Sequence, residues 1–234
     1  MAIPKKIHYI WVGGKEKPKY VKHCINTWKK IFNDYEIIEW NENNFDINAH
    51  RYTQNAYKAK KWAFVSDYIR AHVLYNEGGI YLDTDVIAVE EFGELLNNDF
   101  FIGFETNEFI SAAILGSVQK HSLMKELLEY YDNLDKTSFE FEDNNSILIT
   151  NILKTKYGCN TNNTEQLLND NIKVYKDTVL SNPSYESKTI HVFSGTWLEG
   201  KKKLIKKINE FIKYRLTTKK RISLYLKIMK RSDV

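Results

Sequence analysis

The stretch GGIYLDTDV, residues 78–86, ends on two carboxylates, Asp83 and Asp85, with only Thr84 between them. Ile80, Tyr81 and Leu82 lead into the pair from a Gly78-Gly79 turn and read as a buried strand. Side chains alternate across a strand, so Asp83 and Asp85 are expected to face the same side, with Tyr81 on the face of Asp83. Two close carboxylates repel, and one takes up a proton unless a cation lies nearby. Hard divalent cations such as Mn²⁺ or Mg²⁺ accept oxygen ligands and complete their shell with substrate phosphates. The chemistry suggested is that of a metal–diphosphate site at the end of a strand. A turn with two solvated aspartates has the same local sequence, and the glycine pair and apolar run ahead of it favour the site.

Other residues could join such a site. Asp67 and Arg70 are three apart on a predicted helix, hence neighbours on one face. They lie off the apolar stripe of Trp62, Val65, Ile69 and Val73, where a surface ion pair of small energetic consequence is the alternative. Trp11 lies in an N-terminal apolar run, and by itself reads as a core aromatic. His191 is followed by Ser194, Thr196 and Trp197 in HVFSGTW. An imidazole is an acceptable Mn²⁺ ligand, although a lone histidine is more often structural.

The elements that would position these residues follow from periodicity. Strands are predicted at KIHYIWV (6–12), YEIIEW (35–40), IYLDTDV (80–86), FFIGFE (100–105) and SAAILGS (111–117). Helices are predicted from Pro18 to residue 32 and over 60–79, 122–134 and 146–158, with TIHVFSGTW (189–197) closing the body. Strands alternating with helices argue for an α/β fold with a mainly parallel sheet, whose ligands bind beyond the carboxyl ends of the strands. Asp83 and Asp85 stand at such an end.

With these motifs in order, the sequence resembles glycosyltransferase family 32. FVSDYIRAHVLYNEGGIYLDTDV looks like the family's core Asp-x-Asp motif, and IPKKIHYIWVGG looks like its N-terminal strand. HVFSGTW looks like a variant of its C-terminal His…Ser-Trp segment, in which Ser and Trp are usually adjacent. The catalytic domains of the large clostridial glucosylating toxins are more distant relatives with the same motif order. The likeness is strong over residues 3–14 and 62–88, looser over 100–121 and 189–197, and absent from the C-terminal tail.

This resemblance implies a GT-A (Rossmann-like) fold, a UDP-sugar donor of the UDP-galactose or UDP-glucose type, Mn²⁺ or Mg²⁺, and retention of anomeric configuration. It implies that Trp11 stacks on the uracil ring, and that Asp67, Arg70 and Asp83 hold the donor sugar, with Tyr81 in reach. It makes Asp85 the direct metal ligand and His191 a late metal ligand or diphosphate contact. Trp197 and a hydroxyl from Ser194 or Thr196 would complete the donor site.

The composition suits a folded globular chain of 234 residues, 43% hydrophobic and 27% charged, with room for one core. The formal charge of +4 conceals an asymmetry. Residues 201–234 carry 13 basic and two acidic side chains, whereas residues 1–200 carry 21 and 28. We therefore expect a GT-A domain over residues 1–200 and a basic amphipathic helical tail over 201–234. The tail places Leu204, Ile205, Ile208, Phe211 and Ile212, then Ile222, Tyr225 and Met229, at helical spacing among lysines. Such a tail suits an anionic membrane surface, with packing on the body or an oligomer contact as alternatives. No nucleic-acid-reading element accompanies the charge. No apolar run reaches the ~20 residues of a membrane span, no signal-peptide pattern is present, and Cys24 and Cys159 are unpatterned.

The function expected is hexose transfer to a growing, lipid-linked bacterial surface polysaccharide, capsule or O-antigen, in the cytoplasm on the inner face of the plasma membrane. Two other readings compete. A haloacid-dehalogenase-like phosphatase would use Asp83 as nucleophile and Asp85 as acid–base, but leaves Trp11, Asp67 and Arg70 unexplained. A basic membrane-binding module without catalysis would make the acidic site incidental.

Overall fold

The computed structural model describes residues 2–134, 139, 145–194 and 204–232. Nine strands are described: β1 Lys6–Ile10, β2 Glu36–Trp40, β3 Gly79–Leu82, β4 Val86–Ala88, β5 Phe100–Phe104, β6 Ile110–Ser117, β7 Gln166–Leu168, β8 Ile172–Tyr175 and β9 Thr189–His191. Eight α-helices accompany them: α1 Lys19–Ile31, α2 Arg51–Lys58, α3 Trp62–Glu77, α4 Ser122–Asp132, α5 Asn145–Lys156, α6 Asp177–Leu180, α7 Leu204–Lys213 and α8 Lys219–Ser232. Seven strands form the main sheet in the order β2-β1-β3-β6-β5-β8-β7, and β4 and β9 form a small second sheet. Five of the seven run the same way (β2, β1, β3, β5 and β8), and only β6 and β7 are reversed. The sheet is thus mainly parallel, as the alternation of strands and helices implies.

Strands β3, β5 and β6 are buried along their whole length, because helices cover both faces of the sheet. One apolar core lies beneath α2, α3, α4 and α5, and a second beneath α1, α6 and the β4–β9 ribbon. Strand alternation splits β3 between them: Tyr81 enters the first, Ile80 and Leu82 the second. Cys24 and Cys159 are both free and buried.

Helix α3 is buried nearly all round. Besides Val65, Ile69 and Val73 it buries Phe64, Asp67, Tyr68, Arg70, Ala71 and Leu74. It ends at Gly78, whose φ of 64° and ψ of −165° turn the chain straight into β3. Gly79 follows with φ of 99°, and a Cβ there would lie 2.9 Å from the carbonyl oxygen of Lys6. Only glycine allows β1 and β3 to approach so closely at this turn.

Helices α2 and α6 and the β7–β8 pair add to the elements expected from the sequence. The strand expected over residues 80–86 is also not continuous. It stops at Leu82, a turn closed by the Val86 N–H donating to the Asp83 carbonyl (3.0 Å) follows, and β4 begins in the other sheet.

The basic tail forms two helices whose inner side packs on the body. Leu216 and Ile222 are buried in the α1 core, and the Tyr214 ring lies 5.8 Å from that of Tyr20. His23 Nε2 donates to the Tyr214 carbonyl at 2.8 Å, and Lys219 Nζ pairs with Glu90 at 2.9 Å. The compositional boundary at Glu199-Gly200 lies outside the described residues.

Candidate active site

The site is built at the carboxyl end of β3 from three directions. Behind it, His8 on β1 pins the glycine turn. His8 Nε2 donates to the Gly78 carbonyl at 2.9 Å, and its Nδ1 accepts from Trp40 Nε1 at 3.0 Å. This pairing fixes one neutral tautomer, and burial lowers the His8 pKa in the same direction.

From α3 come Asp67 and Arg70, 5% and 4% exposed, so the pair is a buried one rather than a surface one. Arg70 Nη2 lies 2.9 Å from Asp67 Oδ1 and 3.6 Å from Asp83 Oδ1. Its Nη1 donates to the Ala112 carbonyl, and the guanidinium lies 4.5 Å from the centroid of the Tyr81 ring. Tyr81 in turn donates its hydroxyl to Asp83 Oδ1 at 2.6 Å. Burial pushes Asp67 up to about 7, with Arg70 opposing and Asp83 adding to the rise. For Arg70, burial is outweighed by Tyr81, Asp83 and Asp67, so its pKa moves further up.

The third direction is the β4–β9 ribbon. Its register places Val86 opposite His191, which brings the residue after Asp85 beside a segment more than a hundred positions later. Asp85 is 7% exposed and its carboxylate is fully engaged. Oδ2 accepts the Ser194 N–H at 2.8 Å, and Oδ1 lies 3.2 Å from His191 Nε2. Phe193 takes a left-handed φ of 61°, which turns the chain so that the Ser194 N–H meets Asp85. Burial alone would raise Asp85, but the charge and hydrogen bond of His191 and the contacts from Ser194 bring it well below the usual carboxylate range. For His191, burial is outweighed by Asp85, and its pKa rises.

Asp83, Asp85 and His191 each offer one ligand atom, and these atoms lie within 4.8 Å of one another. Two carboxylate oxygens and an imidazole nitrogen fit a divalent cation such as Mn²⁺. Buried His191 Nδ1 has no hydrogen-bond partner among the described residues, whereas Nε2 faces Asp85. The two aspartates converge because the Asp83–Val86 turn folds them together, and not because they alternate along one strand.

Trp11 stands just beyond β1, half-buried, and its indole N–H donates to the Lys15 carbonyl at 2.6 Å. Ser194 is buried and contributes its backbone N–H, a role that side-chain chemistry gave no reason to expect. Thr196 and Trp197 lie outside the described residues. Three neighbours escaped sequence reasoning. His8 lies on β1, Glu105 follows β5 with burial raising its carboxyl, and Lys213 arrives from α7. Burial lowers Lys213 to about 8, although Asp85 and Glu105 oppose the fall.

Residues 18–102 match the family described as a glycosyltransferase sugar-binding region containing a DXD motif. That match spans 85 of the 234 residues. It includes α1, α3 and the Asp83-Thr84-Asp85 turn, and so holds two of the three candidate metal ligands. Inositol phosphoceramide mannosyltransferase 3 of Schizosaccharomyces pombe is 28% identical over 147 residues, 60% of this chain and 39% of its own. An uncharacterized glycosyltransferase, L373, of Acanthamoeba polyphaga mimivirus is 33% identical over 108 residues, 42% of each chain. The chain thus spans about two fifths of the length of these curated relatives. Among solved structures, the PaToxG glycosyltransferase superposes with a TM-score of 0.51 at 19% identity, covering 66% of this chain and 70% of that one. The fold is therefore the GT-A arrangement of the DXD glycosyltransferases. The haloacid-dehalogenase-like reading gives way with it.

Proposed function

We propose that the protein is a retaining, divalent-metal-dependent glycosyltransferase that moves a hexose from a UDP-sugar to a lipid-linked acceptor, in the assembly of a bacterial surface polysaccharide such as capsule or O-antigen. The observation that carries this reading is the convergence of Asp83, Asp85 and His191 in front of the buried Asp67–Arg70 pair. Asp83, Asp85 and His191 would hold the ion, which when bound supplies Lewis-acid stabilisation of charge on the departing diphosphate. Asp67, Arg70 and Asp83 grip the sugar hydroxyls, and the anchoring of Arg70 by Ala112 and Tyr81 keeps that grip rigid. Trp11, beside the site at the end of the neighbouring strand, offers a face to the base. As the bond from the sugar to the phosphate oxygen breaks, the acceptor oxygen bonds to the same face of the sugar. Its proton passes to the departing phosphate, so retention needs no protein base.

The tail supports the membrane part of the reading. Ile208, Phe211, Leu224, Ile228 and Met229 are exposed on α7 and α8, among exposed Lys207, Lys220, Arg221, Lys227 and Lys230. Apolar side chains ringed by lysines suit the inner face of a plasma membrane, where lipid-linked sugars are found. No described helix is long and apolar enough to cross a membrane, which fits peripheral attachment. One relative is named for a ceramide lipid.

The direct test is hydrolysis of a panel of nucleotide sugars with Mn²⁺, Mg²⁺ or EDTA, on wild type and Asp85→Ala. Metal-dependent release of UDP from one sugar, lost in the variant, is the expected result. A wild-type protein that neither hydrolyses nor binds any nucleotide with either metal would sink the proposal.

A further inference from the structure

One side chain of the basic tail reaches the site. Lys213, the last residue of α7, donates from Nζ to the His191 carbonyl at 3.1 Å and lies 4.3 Å from the centroid of the Phe193 ring. Both anchors belong to the segment that presents His191 and the Ser194 N–H to Asp85. Among the described residues Lys213 forms no ion pair, although Asp85 and Glu105 are near enough for their charges to act on it. An ammonium has three donors, and the carbonyl takes one.

A charge count shows what such a cation can do. Asp83 and Asp85 together balance one divalent ion, which leaves no surplus positive charge to meet a diphosphate. Arg70 cannot supply it, because its guanidinium is engaged by Asp67, Asp83, Ser66 and the Ala112 carbonyl. Lys213 is the described cation that adjoins the cluster and is not committed to a carboxylate. Its aromatic and carbonyl anchors hold the head group in place without neutralising it.

We propose that Lys213 binds the diphosphate of the nucleotide-sugar donor and stabilises its charge as a leaving group. When the bond between sugar and phosphate oxygen breaks, the electron pair stays on that oxygen. The Lys213 ammonium remains protonated and donates hydrogen bonds to the phosphate. The basic tail thereby supplies a functional group to the reaction, besides a surface. This rests on the nucleotide-sugar reading given above.

Calorimetry on the full chain with Mn²⁺ present would compare UDP with UMP for wild type, Lys213→Met and Lys213→Arg. The expected result is that Lys213→Met weakens UDP binding on the order of tenfold to a hundredfold, the range for a charge-assisted hydrogen bond. UMP affinity and melting temperature should stay unchanged, and Lys213→Arg should recover most of the UDP affinity. Unchanged UDP affinity in Lys213→Met overturns the proposal. So does equal weakening of UDP and UMP together with a lowered melting temperature, which would make Lys213 a tether for the tail. If wild type binds neither nucleotide, the nucleotide-sugar reading fails and takes this proposal with it.

Discussion

Replacing Arg70 with methionine removes a guanidinium that is 4% exposed and leaves Asp67, 5% exposed, without its cation at 2.9 Å. Breaking a buried ion pair from one side costs about 3–5 kcal/mol. The cost should depend on pH, because Asp67 can relieve it by taking up a proton. Burial already pushes Asp67 up to about 7 against the opposing charge of Arg70, so without Arg70 its pKa rises further. The unfolded carboxyl ionises near ~3.9, and between that value and the folded one the native state holds the extra proton. Stability therefore falls as pH rises through this window, by about 1.4 kcal/mol per unit. In the wild type the fall ends about pH 7, and in Arg70→Met it continues above that. The gap between the two proteins should thus widen with pH from about neutrality, by about 1.4 kcal/mol per unit until the new pKa is reached. Urea unfolding followed by tryptophan fluorescence, from about pH 6 to about pH 9, measures it directly. A gap that stays flat over that range, or that still widens in an Asp67→Asn background, would refute the reasoning.

Three further outcomes are expected. Asp85→Asn should weaken Mn²⁺ binding by calorimetry at least tenfold, roughly the loss expected on removing a ligand or its partner, with little change in fold by circular dichroism. Tyr81→Phe keeps the ring under Arg70 but removes the 2.6 Å hydrogen bond to Asp83, so stability should drop by about 1 kcal/mol while the donor KM rises. Unchanged kinetics would show that Asp83 needs no fixing. Phe211→Glu combined with Ile228→Glu, both on exposed positions, should abolish sedimentation with phosphatidylserine vesicles and leave donor hydrolysis intact. Retained vesicle binding would assign the exposed apolar residues another role.

Much of the site could be read from the sequence because its inner parts are local. The stripe of α3, the glycine pair and the strand leading to Asp83 are contiguous, and helical spacing puts Asp67 beside Arg70. What periodicity could not show was the burial of that pair. It follows from α4 and α5 closing over α3, which is tertiary information. Nor could it show the break after Leu82. A hydrophobic run continues through Val86 to Ala88, yet the chain changes sheets, because β4 finds its partner at Thr189–His191. His191 drew notice only as an imidazole able to bind Mn²⁺ and through the resemblance, and Lys213 was counted only as charge. Their proximity to Asp85 depends on contacts between residues far apart in the chain, and local patterning carries no trace of them. The α6 helix and the β7–β8 pair were missed for a different reason: at three or four residues each they are too short to set a period.

The β4–β9 ribbon also sets a clock on the assembly of the candidate site. Asp85 and the Ser194 N–H that fastens it are 109 residues apart, and His191 belongs to the later segment. At a synthesis rate of about 5–20 residues per second, roughly 5–20 s pass between translation of the first candidate ligands and arrival of the last. A nascent chain stalled in that interval carries both aspartates but not the third candidate ligand, so it would compete poorly for a divalent ion. Once the chain is complete, a bound ion clips together two ends of a very long loop, a closure that is entropically costly to make by folding alone. At a free metal concentration a hundredfold above Kd, that clip adds about 2.7 kcal/mol to the stability of the finished protein. Metal supply would then govern how long each copy survives proteolysis.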